Sequence, residues 1–240
     1  MSGRLSAKGP VIPNFGHGSA CLRENHWFCP SWVREHWGDV LQPALVQHIY
    51  LTLIAVGIGF SIAFALALIG FRFRVADPAL GAFTDFLYCL PSIALFILLV
   101  PVTGVGLLTI EIPLVAYTLF VLYRNMVSGL RAVPPDVLES ARGMGLTRIQ
   151  TFLRVELPLA VPAIMAGVRV ATVSTISIAT IAAVVIYYGL GGPIFEALGE
   201  PDIFRTELVA AGGLAILLAL TADALLALLQ RALTPWSRLR

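Results

Sequence analysis

Four stretches of this 240-residue chain contain no Asp, Glu, Lys or Arg, and they limit its fold more than any other feature: Val40–Phe71, Phe86–Ile110, Val170–Phe195 and Leu208–Ala222. A helix needs roughly 20 apolar residues to cross about 30 Å of hydrocarbon. Each run reaches or approaches that length. Composition agrees: a soluble domain averages about 25% charged residues, whereas this chain has 12%, against 58% hydrophobic residues. Too few charges remain to cover a water-facing surface. The pattern predicts an all-α, polytopic membrane protein with about five transmembrane helices.

The spans are expected at about 44–69, 81–102, 107–127, 161–188 and 207–229, forming a transmembrane domain over 40–233. Basic residues orient them, because Lys and Arg collect in short cytoplasmic loops. Arg72 and Arg74 follow the first span, Arg124, Arg131, Arg142, Arg148 and Arg154 lie between the third and fourth, and Arg231, Arg238 and Arg240 follow the fifth. Five spans put all of them on one side, the cytoplasm, with a tail at 234–240. The other side holds Glu196, Glu200, Asp202 and Glu207 with only Arg205. The N-terminal tail, 1–39, is then outside, although Arg4, Lys8, Arg23 and Arg34 weaken the rule there. The first 30 residues lack the apolar core of a cleavable signal peptide, so the first span is expected to do the targeting.

Charge and histidine placement exclude other classes. Net charge is only +2, which gives nucleic-acid binding no electrostatic support. Lys8 is the only lysine and is followed by Gly9 and Pro10, so the chain has no P-loop. Any ATP chemistry must belong to another subunit. His17, His26, His36 and His48 all lie at or before the start of the first span, and no HExxH or nucleophile–histidine pair occurs within the spans. The chain does not read as an enzyme, and it needs no cofactor of its own.

Several residues inside or beside the spans have two readings. Pro91, followed by Ser92, frees a backbone carbonyl and kinks the second span; it lines a path, or neighbours re-satisfy it. Arg169 is costly within a span and faces protein or water; it anchors the bundle or gates a path, with Asp223 a candidate partner. Glu111 reaches the headgroups or meets a cationic solute. Ser174, Thr175, Ser177 and Thr180 give the fourth span small polar groups for close packing or for lining a path. Cys89 reads as a small apolar filler. In the tail, Ser31–Leu41 with its tryptophans reads as an interfacial helix or as part of a disordered tail. Cys21 and Cys29 pair as a disulfide, stay free, or join His17 and His26 at zinc.

The segment 128–160 carries the most information. Pro134 and Pro135 open a helix, and Asp136 and Glu139 complement its dipole. Leu138, Ala141 and Leu146, with Val137 and Met144, suggest one buried side. Gly145 suits a left-handed cap. Thr147 and Gln150 match a capping box that starts a second helix, which Leu157 and Pro158 are expected to end. A helix–glycine–helix hairpin of this kind docks into a groove on a soluble partner or lies on the lipid surface.

The run ESARGMGLTRIQTFLRVELP, Glu139–Pro158, resembles the EAA loop of binding-protein-dependent ABC importer permeases, with Glu139, Ser140, Ala141, Gly145, Val155, Leu157 and Pro158 at its motif positions. Ser140 for Ala and Val155 for Ile are small departures. The resemblance implies the MetI-like transmembrane fold. It also implies that Glu139, Ser140, Ala141, Gly143, Met144, Gly145, Leu146, Arg148, Leu157 and Pro158 couple the chain to an ABC ATPase subunit that binds ATP and Mg. It further implies a second permease subunit, identical or related, an extracytoplasmic substrate-binding protein, and a place in the bacterial inner membrane. Tyr88–Gly106 and Leu157–Val185 are similar to the second and fourth spans of the osmoprotectant subfamily, whose solutes are glycine betaine, carnitine and choline, and Gly189, Gly191 and Gly192 continue its pattern. Another small polar solute, an amino acid or an ergothioneine-like compound, remains open. An ion-driven secondary transporter is disfavoured: no repeat is evident and Asp223 is the only candidate midplane acid.

Overall fold

A computed structural model describes residues 20–235. Expectations that fall on Arg4, Lys8, His17, Arg238, Arg240 and the rest of 1–19 and 236–240 lie outside the described residues. A single turn, α1 (Ala20–Arg23), and a short helix, α2 (Pro30–Glu35), precede a π-helical turn at Trp37–Leu41 that runs directly into α3 (Gln42–Arg72). Next come α4 (Asp77–Cys89), α5 (Ser92–Thr103), α6 (Leu107–Arg131), α7 (Pro135–Gly143) and α8 (Arg148–Thr151). A π-helical turn at Phe152–Glu156 joins α8 to α9 (Leu157–Ile181), and α10 (Gly191–Gly199) and α11 (Arg205–Leu233) complete the chain. No strand occurs among the described residues. Among the described residues, four helices are long and apolar enough to cross a membrane, and a fifth crossing exists if α4 and α5 count as one span.

The bundle is centred on α6, which packs between α3 and α9; α4 lies against α6, and α11 chiefly against α9. Lipid offers apolar side chains no drive to associate, so close approach of backbones carries the packing. Gly129 on α6 shows this: a Cβ there would lie 2.8 Å from that of Ala163 on α9. Leu122, Tyr123, Met126 and Ala160 form the buried centre around it.

Three expectations need correction. The second span is not one kinked helix. α4 and α5 meet at 93°, and the chain is extended at Leu90 (ψ 134°) and Pro91 (ψ 128°). A residue before proline is pushed out of the helical region, so the helix stops at Cys89 and restarts at Ser92. The Tyr117 hydroxyl donates to the Leu90 carbonyl, one of those the break leaves without a helical partner. Cys89, expected as filler, is exposed.

Nor does Pro158 end the second cytoplasmic helix. Helix continues from Arg148 to Val184 without interruption. The π-helical turn at Phe152–Glu156 shifts the hydrogen-bond ladder just ahead of a ring that can neither donate to it nor pack on the carbonyl four residues back.

The expected interfacial helix at Ser31–Leu41 divides at His36. Trp32 turns inward, buried edge-on against Phe204 (5.2 Å) and stacked on His36 (4.6 Å). Trp27, Phe28 and Trp37 remain exposed. The segment is a clasp on the start of α11. Asn25 Nδ2 donates to the Ile203 carbonyl (2.8 Å), the Arg205 amide donates to Asn25 Oδ1 (3.1 Å), and the Thr206 hydroxyl donates to the His26 carbonyl (2.9 Å). Cys21 and Cys29 are disulfide-bonded across the clasp, with Cα atoms 6.0 Å apart.

Candidate functional site

The hairpin is built by local sequence. Pro134 is extended (ψ 139°) and Pro135 opens α7, where its missing N–H costs nothing. Gly145 adopts φ +81°. The Leu146 amide then donates back to the Ala141 carbonyl (3.2 Å) and the Gly145 amide to Arg142 (2.9 Å). This is a Schellman closure, which satisfies carbonyls that a helix end leaves bare. Two residues on, the Thr147 amide donates to Gln150 Oε1 (2.8 Å) and the Gln150 amide to Thr147 Oγ1 (3.4 Å). That reciprocal pair is a capping box, so the turn is fixed from both sides.

The hairpin presents most of the expected coupling residues together. Ala141 is buried and Leu146 half-buried beneath it; Glu139, Ser140, Gly143 and Arg148 are exposed. Met144, expected among the apolar positions of the buried side, is instead 73% exposed beside the glycine turn. An apolar residue this exposed suits a protein groove. Leu157 and Pro158 are half-buried in the helix that links the hairpin to α9.

The residues expected along a path are distributed over three helices. Pro91 is exposed at the break and Ser92 begins α5. On α9, Ser177 lies on an exposed stripe with Val170 and Val184, Ser174 is half-exposed beside it, and Thr180 donates to the Ser177 carbonyl (2.6 Å). Thr175 is buried on the opposite side and donates to the Ala171 carbonyl (2.8 Å). Glu111 is 9% exposed within the bundle, and neither carboxylate oxygen has a hydrogen-bond partner among the described residues. Arg169 and Asp223 meet, joining α9 to α11.

Other polar links have no local sequence signal. His48 is fully buried on α3; its Nδ1 accepts the Leu190 amide (3.2 Å) and its Nε2 donates to the Ile176 carbonyl (3.0 Å). Gln47 Oε1 accepts the Gly189 amide beside it (3.0 Å). Gly189 has φ +66°, and a Cβ there would lie 2.9 Å from His48 Nδ1. The only sequence signal for His48 was an imidazole inside a charge-free run. At the hairpin end, Asp77 receives Arg131 (2.7 Å) and the Tyr123 hydroxyl (2.6 Å). Asp85 pairs with Arg124.

The fold overlays on a subunit of the MetNI methionine ABC transporter with a TM-score of 0.73 at 21% identity, over 83% of this chain and 99% of that one. Residues 55–235 match the model for the binding-protein-dependent transport system inner membrane component, and the chain belongs to that family. It is 38% identical over 196 residues to the osmoprotectant import permease protein OsmW of Salmonella typhimurium, covering 79% of this chain and 89% of that protein. It is 34% identical over 190 residues to the glycine betaine/carnitine/choline transport system permease protein OpuCB of Bacillus subtilis, covering 79% and 86%. The chain is therefore a multi-pass permease component of the bacterial inner membrane and not an enzyme. Membership of this family implies a substrate-binding protein and a separate ATPase subunit as partners.

Proposed function

We propose that this chain imports an osmoprotectant of the glycine betaine, carnitine or choline class as one of two permease subunits. A partner ATPase binds ATP and Mg and docks on Glu139–Arg148. An extracytoplasmic binding protein delivers the solute. The hairpin and the C-terminal tail face the cytoplasm, and the N-terminal clasp faces out. The similarity to permeases of glycine betaine, carnitine and choline transport systems supports the solute class. One structural observation carries the coupling: the docking hairpin and the transmembrane helix α9 share one continuous helix, Arg148–Val184. Movement of the hairpin therefore moves the stripe that carries Ser174 and Ser177.

This stripe and the Arg169–Asp223 pair lie on the open side of the bundle. Polar groups at that depth need protein or water against them, and a second permease supplies both by enclosing a path. Ser174, Ser177 and Thr180 then offer hydroxyls to a passing solute, and Pro91 and Ser92 shape the path at the broken span. Glu111 is the acidic group on hand for a cationic headgroup. The chain needs no tight site of its own, because an aromatic cage on the binding protein suits selection of a quaternary ammonium.

The test is reconstitution of the complete importer in vesicles. ATP-dependent uptake of labelled choline or glycine betaine, stimulated by the loaded binding protein, is the expected result. Uptake by this chain alone under a sodium or proton gradient would overturn the coupling scheme. ATP-driven uptake confined to an amino acid would overturn only the solute class.

A further inference from the structure

A cavity of about 1100 Å³ opens where two spans end and the hairpin begins. Its walls come from the last turns of α3 and α6, from α7 and α8, and from the π-helical turn. Of the segment assigned to the ATPase, Arg142, Leu146 and Arg148 line the cavity, whereas Met144 does not.

The lining is strongly one-signed. Arg72, Arg74, Arg131, Arg142 and Arg148 reach it, against Glu156 alone. Arg131 is already engaged with Asp77 at 2.7 Å. Arg72, Arg74, Arg142 and Arg148 have no ion-pair partner among the described residues. Guanidinium groups in such a cluster repel one another, and their planar forks match phosphate oxygens two at a time. Between the arginines the walls are apolar: Leu68, Phe71, Leu130 and Phe152 continue the surface of the spans into the cavity. The ligand must therefore carry an anion at one end and hydrocarbon at the other, and must be present at the depth where membrane-spanning helices stop. A free phosphate ion lacks the apolar part, and an acidic protein segment has no use for apolar walls at that depth.

We propose that this cavity seats the phosphodiester headgroup of an anionic phospholipid, with its first acyl carbons against Leu68 and Phe71. Basic pockets between helices at a membrane surface take such headgroups. Here the lipid bridges the span ends, through Arg72 and Arg74, to the hairpin, through Arg142 and Arg148.

The experiment uses the full chain in phosphatidylcholine bilayers with trace spin-labelled phosphatidylglycerol or spin-labelled phosphatidylcholine. The motionally restricted fraction reports relative affinity. The expected result is a preference for phosphatidylglycerol of about fivefold or more, the scale set by one basic residue at a surface. Arg72→Gln with Arg74→Gln reduces it toward equality. Arg142→Gln with Arg148→Gln, both exposed on the hairpin, does the same. Arg34→Gln, on the clasp, leaves it unchanged, and excess inorganic phosphate does not displace the lipid. The proposal fails if the unmodified chain shows no preference, or if both double variants keep it. Displacement by phosphate would assign the cavity to a free anion. Abolition of the preference on adding the ATPase subunit would assign it to that protein.

Discussion

Arg169 on α9 holds Asp223 on α11 through two parallel hydrogen bonds, Nε to Oδ1 and Nη2 to Oδ2, each 2.8 Å long. The two residues are 54 positions apart in sequence and both lie inside apolar spans. Over the same stretch α11 turns Ile216, Leu217, Leu220 and Leu225 outward, and this pair is a charged link between α11 and the bundle. A charge left alone at that depth is costly, whereas a pair neutralises itself. Arg169→Gln and Asp223→Asn are each expected to lower the melting temperature of the purified chain by several degrees. The exchange Arg169→Asp with Asp223→Arg is expected to recover most of the loss. Single variants that melt like the parent would show that the pair does not hold α11.

Gly145 predicts a defect confined to coupling. Nothing lies within 4 Å of the position a Cβ would take, so a side chain meets no obstruction and the cost of Gly145→Val is conformational. Forcing a β-branched residue to φ +81° costs about 1–2 kcal/mol, or about tenfold in the population of the closed hairpin. Co-purification of the ATPase and stimulated hydrolysis should fall accordingly while the bundle melts unchanged. Gly145→Asn should retain most of the activity, because Asn tolerates this conformation. Equal loss in both variants would point away from the backbone.

His48 predicts a stability effect. Its two ring nitrogens serve opposite roles, acceptor from Leu190 and donor to Ile176; the ring is therefore neutral and protonated on Nε2. His48→Ala strands the buried Leu190 amide at about 1–3 kcal/mol and removes the second donor to the Ile176 carbonyl. Thermal melts of the chain in nanodiscs should register the loss, and hydrogen exchange should rise at residues 186–192. Unchanged exchange there would rule out the tie.

Glu111 predicts opposite signs for stability and transport. A buried carboxyl without a partner is destabilising by about 1–3 kcal/mol on the scale of protein mutational data. Glu111→Met should therefore raise the melting temperature. If the group meets a cationic solute, the same change lowers ATP-driven choline uptake. A variant that is both less stable and fully active would contradict both parts.

Charge-free runs point to several membrane-crossing helices because they are long-range averages, although the third expected span carries Glu111 and Arg124; the hairpin was legible to the level of its caps because Pro135, Gly145, Thr147 and Gln150 act on neighbours within four residues. The same averaging hid the break at Leu90–Pro91: both halves are apolar, and the window that finds a span does not register its direction. Pro158 misled for a related reason. Proline does end helices, but a π-helical turn five residues long absorbs the missing donor, and nothing in Phe152–Glu156 announces it. The pairs His48–Leu190, Asp77–Tyr123 and Asn25–Ile203 join residues 46 or more apart, and no local periodicity encodes which of them meet. Glu111 stands out in the sequence as an acid in a span; its burial depends on packing by other helices, which one helix cannot reveal.

The continuous helix from Arg148 to Val184 also sets a scale. Its 37 residues extend about 55 Å at 1.5 Å per residue, nearly twice the hydrocarbon thickness. A body that long and stiff amplifies: a tilt of about 10° at the hairpin sweeps the far end through about 10 Å over that length. Just beyond that end, Leu190 is tied to His48. The permease thus has the geometry of a lever arm with its handle in the cytoplasm and a tether at its tip, and the π-helical turn at Phe152–Glu156 is the wrist where the stroke can be lost.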